Sequence, residues 1–287
     1  MRAIALHRDV LVATSAIWQT NCAVVRSGEE AFVIDSPVLP AELEALPTLL
    51  EQAGFPAPSG LLATHGDWDH LLGRIAFPGL ALGCAESTAA RMRAAPGEPQ
   101  RELRGFDEEF AIQRPRALSL GAVQALPIPG RCAIGELELE LHPTAGHSED
   151  GLAVWIPWAR VLIVGDYLST VELPSLYEPR PTSGAGATSA SPAAPLDDYL
   201  ATLERLRPLV RGAEHVVPGH GAILDAERAL AVMDEDLAYL EALRDGLPGA
   251  GVGAGVELPS KRRGPVQRAR HAQNIERLRS SGAGKPR

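Results

Sequence analysis

The sequence predicts a layered α/β protein with sheets packed inside a shell of helices. Three observations point that way. Strand-like segments come in two batches, one before residue 90 and one after about residue 115. Helical stretches fall between and after those batches. Apolar residues make up 45% of the 287 residues and charged residues 22%, an ordinary soluble balance in a chain long enough for one large domain or two average ones. Two batches of half-apolar strands with helices to cover them call for layers around a common interior.

The first batch reads DVLVATS, WQTNCAVVRS and AFVID, with the turn Ser27-Gly28-Glu29-Glu30 before the last. A helix is expected over residues 40–53, broken into two pieces by Pro47. GLLAT (60–64) and ALGCAE (81–86) are short apolar strands, and ESTAARMRA reads as the helix after the second. In the second batch ELELELH (136–142) alternates, which turns Leu137, Leu139 and Leu141 to a core and the glutamates to water. LAVWIP and RVLIVGD are apolar throughout, as strands buried on both faces are, and AEHVVPGH supplies one more. Helices are expected over about residues 196–209, 225–243 and 266–279. PTSGAGATSASPAAP (181–195) has no residues with which to bury a core and is expected to be a mobile flap near the site mouth. Residues 1–246 are thus expected to form the main domain with 181–195 as an insertion. Residues 247–287 add a Gly-rich connector and a basic C-terminal helix docked on it.

A net charge of −9 argues against a general nucleic-acid binder. Residues 257–287 carry nine Lys or Arg against two Glu, +7, which leaves −16 on the remainder. Cys22, Cys84 and Cys132 lie far apart with no CxxC pair, so neither a disulfide framework nor a Cys-rich zinc site is expected. No apolar run approaches the ~18 residues of a membrane span, and the run VLVATSAIW after Arg8-Asp9 is short and lacks a convincing cleavage site. The expected setting is the cytoplasm, and the expected partner is a small-molecule substrate, with neither nucleic acid nor membrane; a homodimer is the assembly considered.

Chemistry concentrates in four places, each where a strand ends. THGDWDH (64–70) holds His65, Asp67, Asp69 and His70; TAGHSEDG holds His147; VLIVGDYLS delivers Asp166; HVVPGHG delivers His220. Imidazoles and carboxylates gathered at one sheet edge are a ligand set for Zn, Fe or Mn. His7, His142, His215 and His271 match none of these patterns and are expected to be structural or on the surface. Trp68 is expected to pack beside the site; Tyr167, directly after Asp166, has an approach to substrate as the less favoured of its two readings.

HGDWDH, GHS, GD and PGHG, in that order, resemble the motifs HxHxDH, GH[ST], GD and GHG of the metallo-β-lactamase superfamily. The resemblance covers most of the chain and implies a four-layer αββα sandwich with metals at one edge between the sheets. Carried over by position, it implies that His65, Asp67 and His147 hold one divalent ion, Asp69, His70 and His220 a second, and that Asp166 bridges them. It implies hydrolysis by a hydroxide shared between the ions, with Asp69 orienting it or passing a proton to the leaving group.

The chain departs from the pattern at Asp67, where most of the family has histidine. Four histidines and three carboxylates carry −3, and more anionic oxygen favours manganese or iron over zinc. The flavodiiron branch resembles this in placing an acid there, but no flavodoxin-like segment follows. Classical β-lactamases with a Cys ligand do not fit, because Asp166 occupies that strand end. The nuclease branch needs a longer chain. The best remaining expectation is a glyoxalase-II-like hydrolase of a small ester, thioester or lactone. The alternatives are a single-Fe(II) dioxygenase using His65, His147 and Asp166, as in the persulfide-dioxygenase branch, and a non-catalytic metal-binding member. In glyoxalase-like members the C-terminal helical region holds an anionic thiol carrier, a role the resemblance offers to Lys261, Arg262 or Arg263.

Overall fold

A computed structural model describes residues 1–178, 194–246 and 256–280. The expected flap therefore lies outside the described residues as far as residue 193, as do 247–255 of the connector. The first sheet begins as an antiparallel meander of β1 (Arg2–His7), β2 (Val10–Thr14), β3 (Asn21–Ser27) and β4 (Glu30–Ile34). It continues in parallel through β5 (Gly60–Leu62), β6 (Leu82–Ala85) and β7 (Val123–Leu126). Parallel neighbours need crossovers. These are α1 (Pro40–Gln52), α2 (Gly73–Ala76), and the pair α3 (Glu86–Ala94) and α4 (Glu98–Glu109). The second sheet contains β8 (Gly130–Ile134), β9 (Leu137–Pro143), β10 (Leu152–Ile156), β11 (Val161–Ile163) and β12 (His215–Val217), in the order β12-β11-β10-β9-β8. β11 and β12 pair in parallel across α5 (Pro195–Gly212), and α6 (Ala226–Asp245) and α7 (Pro265–Ser280) follow.

Successive strand residues face opposite sides of a sheet, and here both sides are apolar. Val10 and Val12 of β2 meet Leu139, Leu141, Val154 and Ile163 between the sheets. Leu11 and Ala13 of the same strand meet Leu43, Leu46, Leu103 and Phe106 from α1 and α4. On the other sheet Val161 and Ile163 face inward, while Leu162 packs outward onto Leu203, Leu206 and Val232 of α5 and α6. Three apolar layers separate four structural ones, giving the αββα sandwich. Each such side chain contributes roughly 1.5–3 kcal/mol when fully buried.

Three local expectations change. α1 is unbroken at Pro47. The proline forgoes one helical hydrogen bond on the exposed face, while Leu43, Leu46 and Leu50 hold the helix to the sheet. Leu137 is 38% exposed although Leu139 and Leu141 are buried, because it follows directly on the β8–β9 hairpin turn. The sequence reading passed over α4, whose polar run EPQRELRGFDEE buries only Pro99, Leu103 and Phe106, at helical spacing.

Candidate metal centre

His65, His147, Asp166 and His220 each lie three or four residues beyond the end of a strand: β5, β9, β11 and β12. β9 and β11 both run antiparallel to β10, and β12 runs parallel to β11, so three of these exits leave the second sheet at the same edge. β3 ties the first sheet to that edge. Thr20 bridges to His220, and the Asn21 side-chain amide donates to the carbonyls of Pro218 (2.8 Å) and Gly221 (3.0 Å).

The ligand run bends as a one-turn 3-10 helix, Trp68–His70, in which His70 N–H donates to the Asp67 carbonyl at 3.1 Å. Trp68 anchors the bend among aromatic rings, 4.7 Å from Phe106 and 5.7 Å from Trp18 between centroids. It packs beside the site, as expected.

All seven predicted donors converge. In a first group Asp67 Oδ2 lies 3.6 Å from His65 Nε2 and 3.5 Å from His147 Nε2. In a second, Asp69 Oδ2 lies 3.7 Å from His70 Nε2 and 3.3 Å from His220 Nε2. Asp166 stands between them. Its Oδ2 is 3.3 Å from His147, 3.4 Å from His220 and 4.0 Å from His65, while Oδ1 is 3.1 Å from His70. Gly219 has to be glycine: a Cβ there would come within 2.1 Å of Asp166 Oδ1.

The rings are backed on their Nδ1 sides. His65 Nδ1 is 3.1 Å from Thr64 Oγ1, His220 Nδ1 is 3.3 Å from Thr20 Oγ1, and His70 Nδ1 faces Asp35 Oδ2 at 3.0 Å. Each ring therefore turns Nε2 toward the centre, as ligating histidines do. The Nε2 atoms of His65, His70 and His147 are buried without a hydrogen-bond partner in the protein. Buried polar atoms left bare at one point fit a bound cation. The charges agree. Burial pushes the Asp166 carboxyl up, but His220, His70 and His147 outweigh it and hold it well below the carboxylate range. Burial likewise opposes charge on His70, and Asp35, Asp69 and Asp166 overcome it.

Four participants escaped the sequence reading. Asp35, at the end of β4, accepts from Thr64 N–H and Oγ1–H, both at 2.8 Å, and carried a usable signal, since it too follows an apolar strand. Glu172 lies close enough to Asp166 and His220 to share an ion with them, and Arg270 of α7 pairs with it at 2.7 Å. Arg91 of α3 pairs with Asp67 at 2.9 Å and with Asp150 at 3.1 Å. Nothing in the spacing of these last three marks them.

Two alternatives fall away. Tyr167 is buried, and its hydroxyl accepts from His147 N–H at 3.2 Å, so it braces the His147 loop. Arg262 is 1% exposed and fully engaged by Asp236, Glu235 and the carbonyls of Ser169 and Glu172, which leaves it nothing for an anionic carrier. The α7 side chains that reach the site are Val266, Gln267, Arg270 and Arg277. Of the other histidines, His7 faces Asp9, His142 faces Glu140 and His271 meets Tyr239. Cys22 and Cys84 are buried free thiols, Cys132 is half-buried, and among the described residues no helix is long and apolar enough to cross a membrane.

Two cavities share Asp67, Asp69 and His147 as a common wall. One, of about 510 Å³, opens toward α3, α4 and Tyr177; the other, of about 560 Å³, lies under Trp18 and α7. Either is of small-molecule size.

A family model described as the metallo-beta-lactamase superfamily matches residues 16–220. Among solved structures, a metallo-beta-lactamase family protein from Thermus thermophilus aligns with TM-score 0.66 and 22% identity, over 97% of this chain and 95% of that one. A metallo-beta-lactamase from Pontibacter korlensis aligns with TM-score 0.52 and 19% identity, over 81% of this chain and 98% of that one. At such identities these two likenesses concern the fold, and the match over residues 16–220 carries the assignment: the chain belongs to the metallo-beta-lactamase superfamily.

Proposed function

We propose that the protein is a metal-dependent hydrolase of a small ester, thioester or lactone, with two divalent ions (Zn, Fe or Mn) held by the donors above. One observation carries the reading: two groups of three donors meet on either side of Asp166, with bare imidazole nitrogens turned inward. His65, Asp67 and His147 would hold one ion, Asp69, His70 and His220 the other, and Asp166 both. Ions bound there supply Lewis acidity, which brings a water's pKa down to about 7 and polarises a scissile carbonyl.

The chain supplies the rest. Asp69 is placed to hold and move the proton: its Oδ2 faces two imidazoles while its side chain stays 11% exposed toward the cavities. It would accept a proton from the attacking water and return it to the leaving oxygen or sulfur. Ser36 keeps it in place by donating to the Asp69 carbonyl at 2.9 Å. Trp18, Val171 and Val266 border the larger cavity and offer an apolar surface to an acyl group.

The test is metal analysis of protein purified without chelator, followed by assay on an ester, thioester and lactone panel before and after chelation. Two ions per chain and hydrolysis lost on chelation are expected. Full activity without metal would overturn the reading. One iron per chain with oxygen uptake would replace it with the dioxygenase, and metal without turnover would leave a binding protein.

A further inference from the structure

Asp67 poses a problem of charge and of placement that its histidine counterparts do not. Its carboxylate adds a negative charge to the donor set, and its side chain is 35% exposed, so water competes for it. The structure answers the problem of placement at one residue. Arg91 Nη2 holds Asp67 Oδ1 at 2.9 Å, and the other arm, Nη1, holds Asp150 Oδ1 at 3.1 Å. Asp150 is itself fixed, since its Oδ2 accepts from Thr88 Oγ1 at 2.6 Å and from Gly66 N–H at 3.2 Å. Thr88 and Arg91 are three apart on α3 and so share a helix face. The seat is tight. A Cβ on Gly66 would come within 3.3 Å of Thr88 and 3.4 Å of Arg91.

We infer that Arg91 is a positioning residue that makes Asp67 act in place of the family's histidine; this rests on Asp67 being a ligand, as proposed above. With one oxygen taken by the guanidinium, only Oδ2 is left to face His65 and His147, so the carboxylate offers a single donor atom, as an imidazole does. Arg91 stands between Asp67 and Asp150, so its single positive charge is shared by two carboxylates and its effect on Asp67 is one of placement. A guanidinium suits the task because its rigid fork spans two carboxylates with separate nitrogens, which one ammonium does less well.

The experiment is a metal titration of the full chain, reading stoichiometry and both dissociation constants, with thermal unfolding as a control. Arg91→Met should retain the second position and weaken the first by about 10–100-fold, the usual cost of losing a partner behind a ligand. In the Asp67→His background the same change should shift the first position by no more than about twofold, because the pair no longer exists. Arg91→Lys keeps a cation for Asp150 without the second arm; it should show the same first-position loss and decides the matter if Arg91→Met does not fold. Wild-type binding in Arg91→Lys and Arg91→Met, or an equal loss in both backgrounds, would overturn the inference. A wild-type protein with nothing bound at His65 and His147 would instead overturn the reading on which it rests.

Discussion

The two halves of the candidate metal centre are held in different ways. Asp69, His70 and His220 are all buried, with exposures of 7%, 1% and 4%. Behind them stand groups from distant strands, Asp35 after β4 and Thr20 before β3, so the sheets themselves hold this half in register. Both halves line the two cavities, one through Asp69 and the other through Asp67 and His147, but Asp67 is the most exposed of the seven donors. Its partner is a helix side chain, Arg91 of α3. The comparison separates two kinds of support: groups at the strand ends stand behind the buried half, while the exposed Asp67 has its partner on a helix.

The comparison can be broken most directly at Asp166, which both halves share. Asp166→Ala should empty both positions and lower turnover by more than about 100-fold, the upper range for losing only an outer partner. Loss confined to one half would show that the carboxylate does not bridge. Next in size is Arg262, which joins buried Asp236 at 2.5 Å to the carbonyls of Ser169 and Glu172; Ser169 in turn donates to the His220 carbonyl at 2.8 Å. Arg262→Ala should cost roughly 3–5 kcal/mol of stability by stranding Asp236, visible as a lower melting temperature in chelated protein as well. An unchanged melting curve would remove the C-terminal segment from the buried half's support. Thr20→Val should be milder, weakening the second position by about threefold to tenfold through the lost partner of His220 Nδ1. Glu172→Gln should have the smallest effect, because Arg270 already holds that carboxylate; a large loss of metal would make Glu172 a full ligand.

Much of this was legible in the residues because it depends on local order. Val10 to Ala13, Leu139 and Leu141, and Val161 to Ile163 show their alternation or unbroken apolarity directly, and each ligand follows such a strand. The donors could be named for the same reason: strand ends collect at sheet edges. Partners supplied from elsewhere in the chain were not legible. Arg91 meets Asp67 across 24 residues and Asp150 across 59, and a single arginine on a helix carries no periodic mark of its target. Arg262 is a similar case: nothing in the basic run around it reveals that buried Asp236 awaits it. Pro47 and Leu137 show the converse, local rules overruled by packing and by the end of a hairpin.

The account turns on whether Asp67 is a ligand of a position distinct from the buried one. Metal content of wild type, Asp67→Ala and Asp67→His, purified together without chelator, measures this most directly. About two ions per chain are expected in the wild type and about one in Asp67→Ala, retained by Asp69, His70, His220 and Asp166, with most hydrolysis lost. Asp67→His should hold two ions again, with the bound mixture shifted toward zinc. Wild-type metal content and turnover in Asp67→Ala would contradict the account, and a shared content of one iron would leave His65, His147 and Asp166 as its ligands.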